Sequence, residues 1–112
     1  MVINDLPIIL QEVISRLSVG LDAECIYLFG SRAEDKSRPD SDYDLLVVVP
    51  KSGLPRHQRE AISYNLLWGI TTPVDIIVLT HDEFMRQVQV KTSIASTAST
   101  KGVLLYGNSK AT

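Results

Sequence analysis

The sequence predicts an α/β (α+β) domain in which a small mixed β-sheet is flanked by helices. Residues 45–49 are a continuous run of Leu and Val, which is typical of a strand covered on both faces. Further β-rich runs alternate with segments of helical apolar spacing. The segment between the second and third strands is long enough for a right-handed parallel crossover. The length of 112 residues indicates one domain, residues 1–112.

A helix is predicted near the amino terminus. Apolar residues recur at helical spacing over positions 9–17 and form one stripe that can pack on a core. Asn4 or Asp5 can cap this helix. Pro7 suits its first turn, because the missing N–H of proline does no harm there, and Gly20 can end the helix.

Two strands follow this helix. Residues 25–29 are rich in β-branched and aromatic residues and end at a Gly-Ser pair. A polar connection leads to the second strand, residues 42–49. Cys25 is the only cysteine, so no intrachain disulfide is possible, and this suits a reducing, cytoplasmic compartment. Its apolar neighbours predict a buried thiol.

Helices and strands alternate in the rest of the chain. A helix is expected at residues 56–68 and a strand at 74–79. Tyr64 and Trp68 on this helix are either core residues, the favoured interpretation, or part of an interface patch.

Another helix begins within residues 80–82, and a short last strand covers residues 103–106. The Ser-, Thr- and Ala-rich stretch 91–101 has the composition of a linker, but its helically spaced apolar residues favour a helix.

Composition and charge exclude several classes of protein. The chain is 45% apolar and 21% charged, with a formal net charge of −2, so broad electrostatic binding of nucleic acid is not expected. No apolar run approaches the roughly 18 residues of a membrane span, and no basic leader or cleavage site is visible. A cytoplasmic protein without a membrane partner is therefore expected.

Two aspartates stand where the second strand begins. Residues two apart in a strand point to the same face, so Asp42 and Asp44 can direct two carboxylates at one point. Two such oxygen ligands suit Mg²⁺. Asp75 joins them if its strand runs parallel to the second. Taken alone, an Asp-x-Asp pair at a strand start is more often a solvated turn, and Asp40 with Asp42 forms a second such pair. Asp75 alone is also explained as a strand-start carboxylate that faces water.

Gly30 and Ser31 lie at the carboxyl end of the first strand. They reach the aspartates only if that strand runs antiparallel to the second, so the chemistry predicts a mixed sheet. Gly30 permits close backbone approach, and Ser31 offers a hydroxyl and an N–H to a phosphate.

The stretch GSRAEDKSRPDSDYD resembles the minimal nucleotidyltransferases of the DNA polymerase β-like superfamily, whose motif is Gly-Ser, a ten-residue spacer and Asp-x-Asp. That spacing selects Asp42 and Asp44 over Asp40. The segments VDIIVL, with the third carboxylate, and GVLLYG, as a terminal strand, are similar as well, so the likeness covers nearly the whole chain.

The resemblance implies ATP as substrate, two Mg²⁺ ions and release of pyrophosphate. By position, Gly30 and Ser31 would hold the triphosphate, while Asp42 and Asp44 would bind metal. Asp75 would help bind the catalytic metal and act as general base.

Arg32 is also placed for nucleotide binding. A salt bridge from Arg32 to Asp35 or Glu34 is as good an interpretation as contact with phosphate.

Small proteins of this kind resemble the antitoxin of HEPN–MNT toxin–antitoxin pairs, which transfers AMP to a tyrosine of the HEPN toxin. We therefore expect a HEPN-type toxin encoded nearby as partner. The protein is expected to form a homo- or hetero-oligomer. One alternative is a nucleotidyltransferase that acts on a small molecule or an RNA end. Another is a binding module that neutralises its partner by contact alone.

Overall fold

The computed structural model describes residues 6–34, 38 and 41–108. The helices in this part of the chain are α1 (Ile8–Gly20), α2 (Arg56–Leu66), α3 (His81–Gln87) and α4 (Ile94–Lys101). The strands are β1 (Cys25–Phe29), β2 (Tyr43–Val49), β3 (Val74–Thr80) and β4 (Val103–Gly107). None of the described helices is both long and apolar enough to cross a membrane.

The strands form one sheet in the order β3-β2-β1-β4. β2 and β3 are parallel, whereas β1 is antiparallel to both of its neighbours, β2 and β4. This arrangement confirms the predicted mixed sheet. It also brings the carboxyl end of β1 to the same edge of the sheet as the amino ends of β2 and β3.

Helices cover both faces of the sheet. One core lies under α1 and the end of α2, and its largest members include Leu10, Leu17, Ile26, Leu45 and Val47. The other core lies under α3 and α4, and its members include Tyr27, Leu46, Val48, Phe84 and Ala95. Because alternate residues of β2 enter opposite cores, its Leu-Val run is apolar throughout, as predicted.

Helix α1 begins later than predicted. Its N-cap position is Pro7, which lies before the first helical residue Ile8 instead of inside the first turn, and no side chain among the described residues caps the helix. The predicted caps, Asn4 and Asp5, lie outside the described residues. Gly20 is the last helical residue, as expected.

The Ser-, Thr- and Ala-rich stretch forms helix α4, in agreement with the helical prediction. The side chain of Ser93 caps it by accepting a hydrogen bond from the N–H of Ser96, 3.0 Å away. Its buried residues are small, Ala95, Ser96 and Ala98. Small side chains let the helix lie close to the sheet, so this composition serves packing and does not make a linker.

The sequence prediction differs most from the structure at helix α2. It ends at Leu66 and not at Trp68, and its buried residues are polar, Arg59 and Ser63. Trp68 is 85% exposed and Tyr64 43% exposed, so neither is the core residue that was predicted.

The reason for this polar face is that α2 packs along the open edge of β3. The N–H of Val78 donates to Oε2 of Glu60 at 3.1 Å, and Arg59 Nη1 donates to the carbonyl of Val78 at 3.0 Å. The N–H of Ile76 donates to the hydroxyl of Tyr64 at 2.9 Å. These side chains take the place of a further strand, because the backbone groups of an edge strand need polar partners.

Candidate functional site

Asp44 and Asp75 are aligned on two parallel strands. Each is the second residue of its strand, and the register pairs them directly. Matched positions on neighbouring parallel strands project to the same face of a sheet, so these carboxylates stand side by side. Asp42 lies two residues before Asp44 and is exposed to solvent. All three predicted aspartates therefore lie at one edge of the sheet.

The charges of these carboxylates influence one another. Burial raises the pKa of Asp44, and the negative charges of Asp75 and Asp42 raise it further. Like charges disfavour ionisation of a neighbouring carboxyl group, as in carboxylate pairs that share a site. A cation at this edge would relieve that repulsion.

Gly30 lies against the carboxylate of Asp44. Its φ angle is +75°, and a Cβ atom built on it would collide with Oδ2 of Asp44. Only glycine adopts this conformation without strain and leaves this space free. The glycine predicted to allow close backbone approach is thus in contact with a predicted metal ligand.

A single turn of helical character follows Gly30. The N–H groups of Ala33 and Glu34 donate to the carbonyl of Gly30 at 3.1 and 3.3 Å. Ser31 is the first residue of this turn and is half-buried. The Gly-Ser pair therefore lies at the same sheet edge as the carboxylates, while its contact with phosphate stays a prediction.

Arg32 joins the two ends of the connection between β1 and β2. Its Nε and Nη2 atoms donate to the carbonyl of Ser41 at 3.1 and 2.8 Å. Its guanidinium carbon lies 4.4 Å from the centre of the Tyr43 ring, a cation–π contact. These contacts flank Asp42, so Arg32 holds the segment that carries this aspartate. Asp35, one of its predicted partners, lies outside the described residues.

Tyr64 is the site residue that sequence reasoning missed. Its hydroxyl lies 3.3 Å from Oδ1 of Asp75, while it also accepts the hydrogen bond from Ile76. Burial raises the pKa of Tyr64, and the charge of Asp75 adds to this, so the hydroxyl keeps its proton at neutral pH. The sequence signal was a tyrosine 11 residues before the third aspartate, in the helix that precedes its strand.

The donor set suits a hard divalent cation. Three carboxylates whose charges repel one another, beside a glycine that makes room for the carboxylate of Asp44, match the oxygen ligands that Mg²⁺ prefers. As the side chains stand, the described residues contain no group of three or more His, Cys, Asp or Glu near enough to hold a metal ion. The metal-binding roles of Asp42, Asp44 and Asp75 therefore stay predictions.

The fold is that of a nucleotidyltransferase, as comparison with known families and structures shows. The sequence profile of the family "Polymerase beta, Nucleotidyltransferase" matches residues 11–111. The chain belongs to that family, which confirms the fold class and the resemblance found in the sequence. No curated protein sequence matches the chain at a significant level.

Solved structures share this fold at low sequence identity. A candidate nucleotidyltransferase from Sulfolobus solfataricus is 24% identical, with a TM-score of 0.64 over 91% of this chain and 80% of its own. A toxin–antitoxin structure with AMP-PNP is 20% identical, with a TM-score of 0.60 over 88% of this chain and 73% of its own. A toxin–antitoxin structure named MntA-HepT is 19% identical, with a TM-score of 0.55 over 90% and 72%.

Proposed function

We propose that this chain is the cytoplasmic antitoxin of a toxin–antitoxin pair, and that it transfers AMP from ATP to a tyrosine hydroxyl of a HEPN-type toxin. The observation that carries the enzymatic part is the pairing of Asp44 with Asp75 at the starts of parallel strands, with Gly30 against Asp44. A merely structural sheet edge has no need of aligned carboxylates whose charges repel one another.

In the proposed reaction, the phosphates of ATP lie against the backbone of Gly30, and Ser31 donates to them. The acceptor hydroxyl approaches Asp75, which is exposed at the sheet edge. The acceptor oxygen bonds to the α-phosphorus, the bond from that phosphorus to the bridging oxygen of the β-phosphate breaks, and pyrophosphate leaves. The hydroxyl proton passes to the carboxylate of Asp75, which acts as general base.

Asp42, Asp44 and Asp75 are the residues that would hold the proposed pair of Mg²⁺ ions. Bound Mg²⁺ would neutralise the carboxylates and polarise the phosphate. The described aspartates supply the oxygen ligands, and Gly30 keeps the space beside Asp44 free of side chain.

The proposed partner and nucleotide are supported by likeness of fold. The related toxin–antitoxin structures have TM-scores of 0.55 and 0.60, and one contains AMP-PNP, an ATP analogue. A protein acceptor also fits the exposed position of Asp75, which a bulky substrate can approach from solvent. Hetero-oligomer formation with that acceptor follows from the same proposal.

The experiment is a label-transfer assay. Purified protein is incubated with ATP labelled at the α-phosphate, Mg²⁺ and the protein encoded by the adjacent gene. We expect label on a tyrosine of that protein, and none with an Asp42→Asn/Asp44→Asn variant. Asp82→Asn is the matched control, because Asp82 is an exposed aspartate in the first turn of α3, away from the site.

Three outcomes would contradict the proposal. Label on RNA ends or on a small molecule, with none on protein, would reassign the acceptor. Equal labelling by wild type and the double variant would remove the aspartates from catalysis. Neutralisation of the toxin by the double variant as fully as by wild type would favour a module that acts by contact alone.

A further inference from the structure

The hydroxyl of Tyr64 has two partners that fix its role as donor and acceptor. The N–H of Ile76 can only donate, so the tyrosine oxygen accepts that bond, which is 2.9 Å long. A phenol has one proton, which the Tyr64 hydroxyl donates to Oδ1 of Asp75 at 3.3 Å. The backbone of β3 thus orients the hydroxyl, and the hydroxyl in turn points its proton at Asp75.

We propose that Tyr64 is a positioning residue that holds the carboxylate of Asp75 in the orientation needed for metal binding and proton abstraction. By occupying Oδ1, Tyr64 leaves Oδ2 of Asp75 for a metal ion or the acceptor hydroxyl. The inference rests on the proposed function of Asp75. Groups that hydrogen-bond to metal ligands fix the orientation of those ligands, and their loss commonly costs 10- to 100-fold in affinity or activity.

The length of the contact fits such a role. At 3.3 Å it exceeds the usual O–H···O distance, as catalytic hydrogen bonds often do before substrate binds. Tyr64 lies in the last turn of α2, so the carboxylate is held from a helix and not from a loop.

Glu60 offers a control that distinguishes a positioning role of Tyr64 from a purely structural one. It accepts a hydrogen bond from the N–H of Val78, just as Tyr64 accepts one from Ile76, so each residue satisfies one backbone donor on the open edge of β3. Of these two residues, only Tyr64 forms a hydrogen bond with Asp75. Tyr64→Phe and Glu60→Ala therefore each remove one edge hydrogen bond, and they differ in their effect on the site.

The test measures two properties of wild type, Tyr64→Phe and Glu60→Ala. The first is the affinity for Mn²⁺ in the presence of a non-hydrolysable ATP analogue, measured by electron paramagnetic resonance. This measurement needs no acceptor protein. The second is the rate of AMP transfer to the adjacent-gene protein. We expect Tyr64→Phe to weaken Mn²⁺ binding and to lower kcat, each about tenfold, with KM for ATP within twofold. Glu60→Ala should leave both properties within twofold of wild type.

The outcomes separate the two proposals. Wild type that binds Mn²⁺ but transfers no AMP contradicts the proposed function, and Tyr64 is then judged on Mn²⁺ affinity alone. Unchanged affinity and kcat in Tyr64→Phe overturn the inference, as does an equal loss in Glu60→Ala. Wild type that binds no Mn²⁺ overturns both proposals. AMP found on Tyr64 itself would make this residue an acceptor and would also overturn the positioning role.

Discussion

Gly30 and Asp44 are in direct contact, and the absence of a side chain on Gly30 is what leaves room for the carboxylate. A Cβ at residue 30 would collide with Oδ2 of Asp44, and the φ angle of +75° disfavours any other residue. The turn after β1 and the start of β2 are thus fitted to each other. This contact links the Gly-Ser half of the motif to the Asp-x-Asp half.

Gly30→Ala should therefore abolish nucleotide transfer. The added methyl group displaces the carboxylate of Asp44, and the positive φ angle adds strain of about 1 kcal/mol or more. We expect at least a 100-fold lower transfer rate, on the scale of a misplaced catalytic group. The rate is measured by label transfer and the free energy of unfolding by urea denaturation.

Two other glycines provide the controls. Gly69 also has a positive φ angle, +88°, but no atom lies within 4 Å of the position that a Cβ would take there, so Gly69→Ala tests strain alone. Gly53 meets nothing within 4 Å and is not in that conformation, so Gly53→Ala should be neutral. If Gly69→Ala lost as much activity as Gly30→Ala, backbone strain and not the contact with Asp44 would explain the effect.

Asp44→Asn should stabilise the protein in the absence of divalent cations. Burial and the charges of Asp75 and Asp42 raise the pKa of Asp44 above its ordinary value of 3.8. A carboxyl group of this kind contributes stability fully below its unfolded pKa and loses that contribution as the pH rises through its folded pKa. At pH 7 with EDTA, the melting temperature of Asp44→Asn should therefore exceed that of wild type.

Divalent cations should reverse this order. Mg²⁺ or Mn²⁺ should raise the melting temperature of wild type and leave Asp44→Asn nearly unchanged, because binding to the folded state is what stabilises it. A cation-induced shift of equal size in both proteins would count against Asp44 as a metal ligand.

The ion pair of Arg59 with Glu83 should make stability depend on acid pH. A hydrogen bond from Arg59 is the main cause that lowers the pKa of Glu83 from 4.5 to about 2. Arg59 Nη1 lies 2.7 Å from Oε1 of Glu83, and the side chains are only 8% and 28% exposed. Because the folded pKa is lowered, this stability is present above pH 4.5 and is lost as the pH falls towards 2.

Glu83→Gln should thus lower the free energy of unfolding at pH 7 by about 2 to 3 kcal/mol, since it leaves Arg59 buried without a counter-charge. The difference from wild type should shrink between pH 4.5 and pH 2. The control is Glu12→Gln, which breaks the exposed pair with Arg16 and should cost roughly 0.5 kcal/mol or less. Equal losses in both variants would contradict the account of the buried pair.

Arg32→Lys should reduce transfer about fivefold to tenfold with little change in stability. Lysine cannot donate two hydrogen bonds to Ser41 in the same plane or stack on Tyr43 as a guanidinium does, so the segment that carries Asp42 loses its support. Tyr43→Leu, which keeps the charge of Arg32, separates support from phosphate binding. If Arg32→Lys weakens binding of an ATP analogue and Tyr43→Leu does not, the main partner of Arg32 is phosphate.

Much of the fold could be predicted because local pattern and tertiary environment agree. The Leu-Val run of β2 lies between two helical layers, and the direction of β1 follows from the need to bring Gly30 to Asp44. Helix α4 was harder, because Ser, Thr and Ala are common both in linkers and in tightly packed helices.

The α2 region could not be predicted from pattern alone. Tyr64 is an aromatic residue, a type expected in a core. Nothing in the local sequence reveals that α2 packs along the open edge of β3, where a backbone N–H needs an acceptor. The contact between Tyr64 and Asp75 depends on how α2 packs against β3, and no short motif encodes it. The spacing of Gly30, Ser31, Asp42 and Asp44, by contrast, lies within one short stretch of sequence.

The most direct test of the account compares transfer from ATP labelled at the α-phosphate with transfer from ATP labelled at the γ-phosphate, in wild type and in Asp75→Asn. We expect label on the acceptor from the α-phosphate only, and a rate at least about 100-fold lower in Asp75→Asn, the usual contribution of a general base. Transfer of the γ-label, or an Asp75→Asn rate equal to that of wild type, would contradict it.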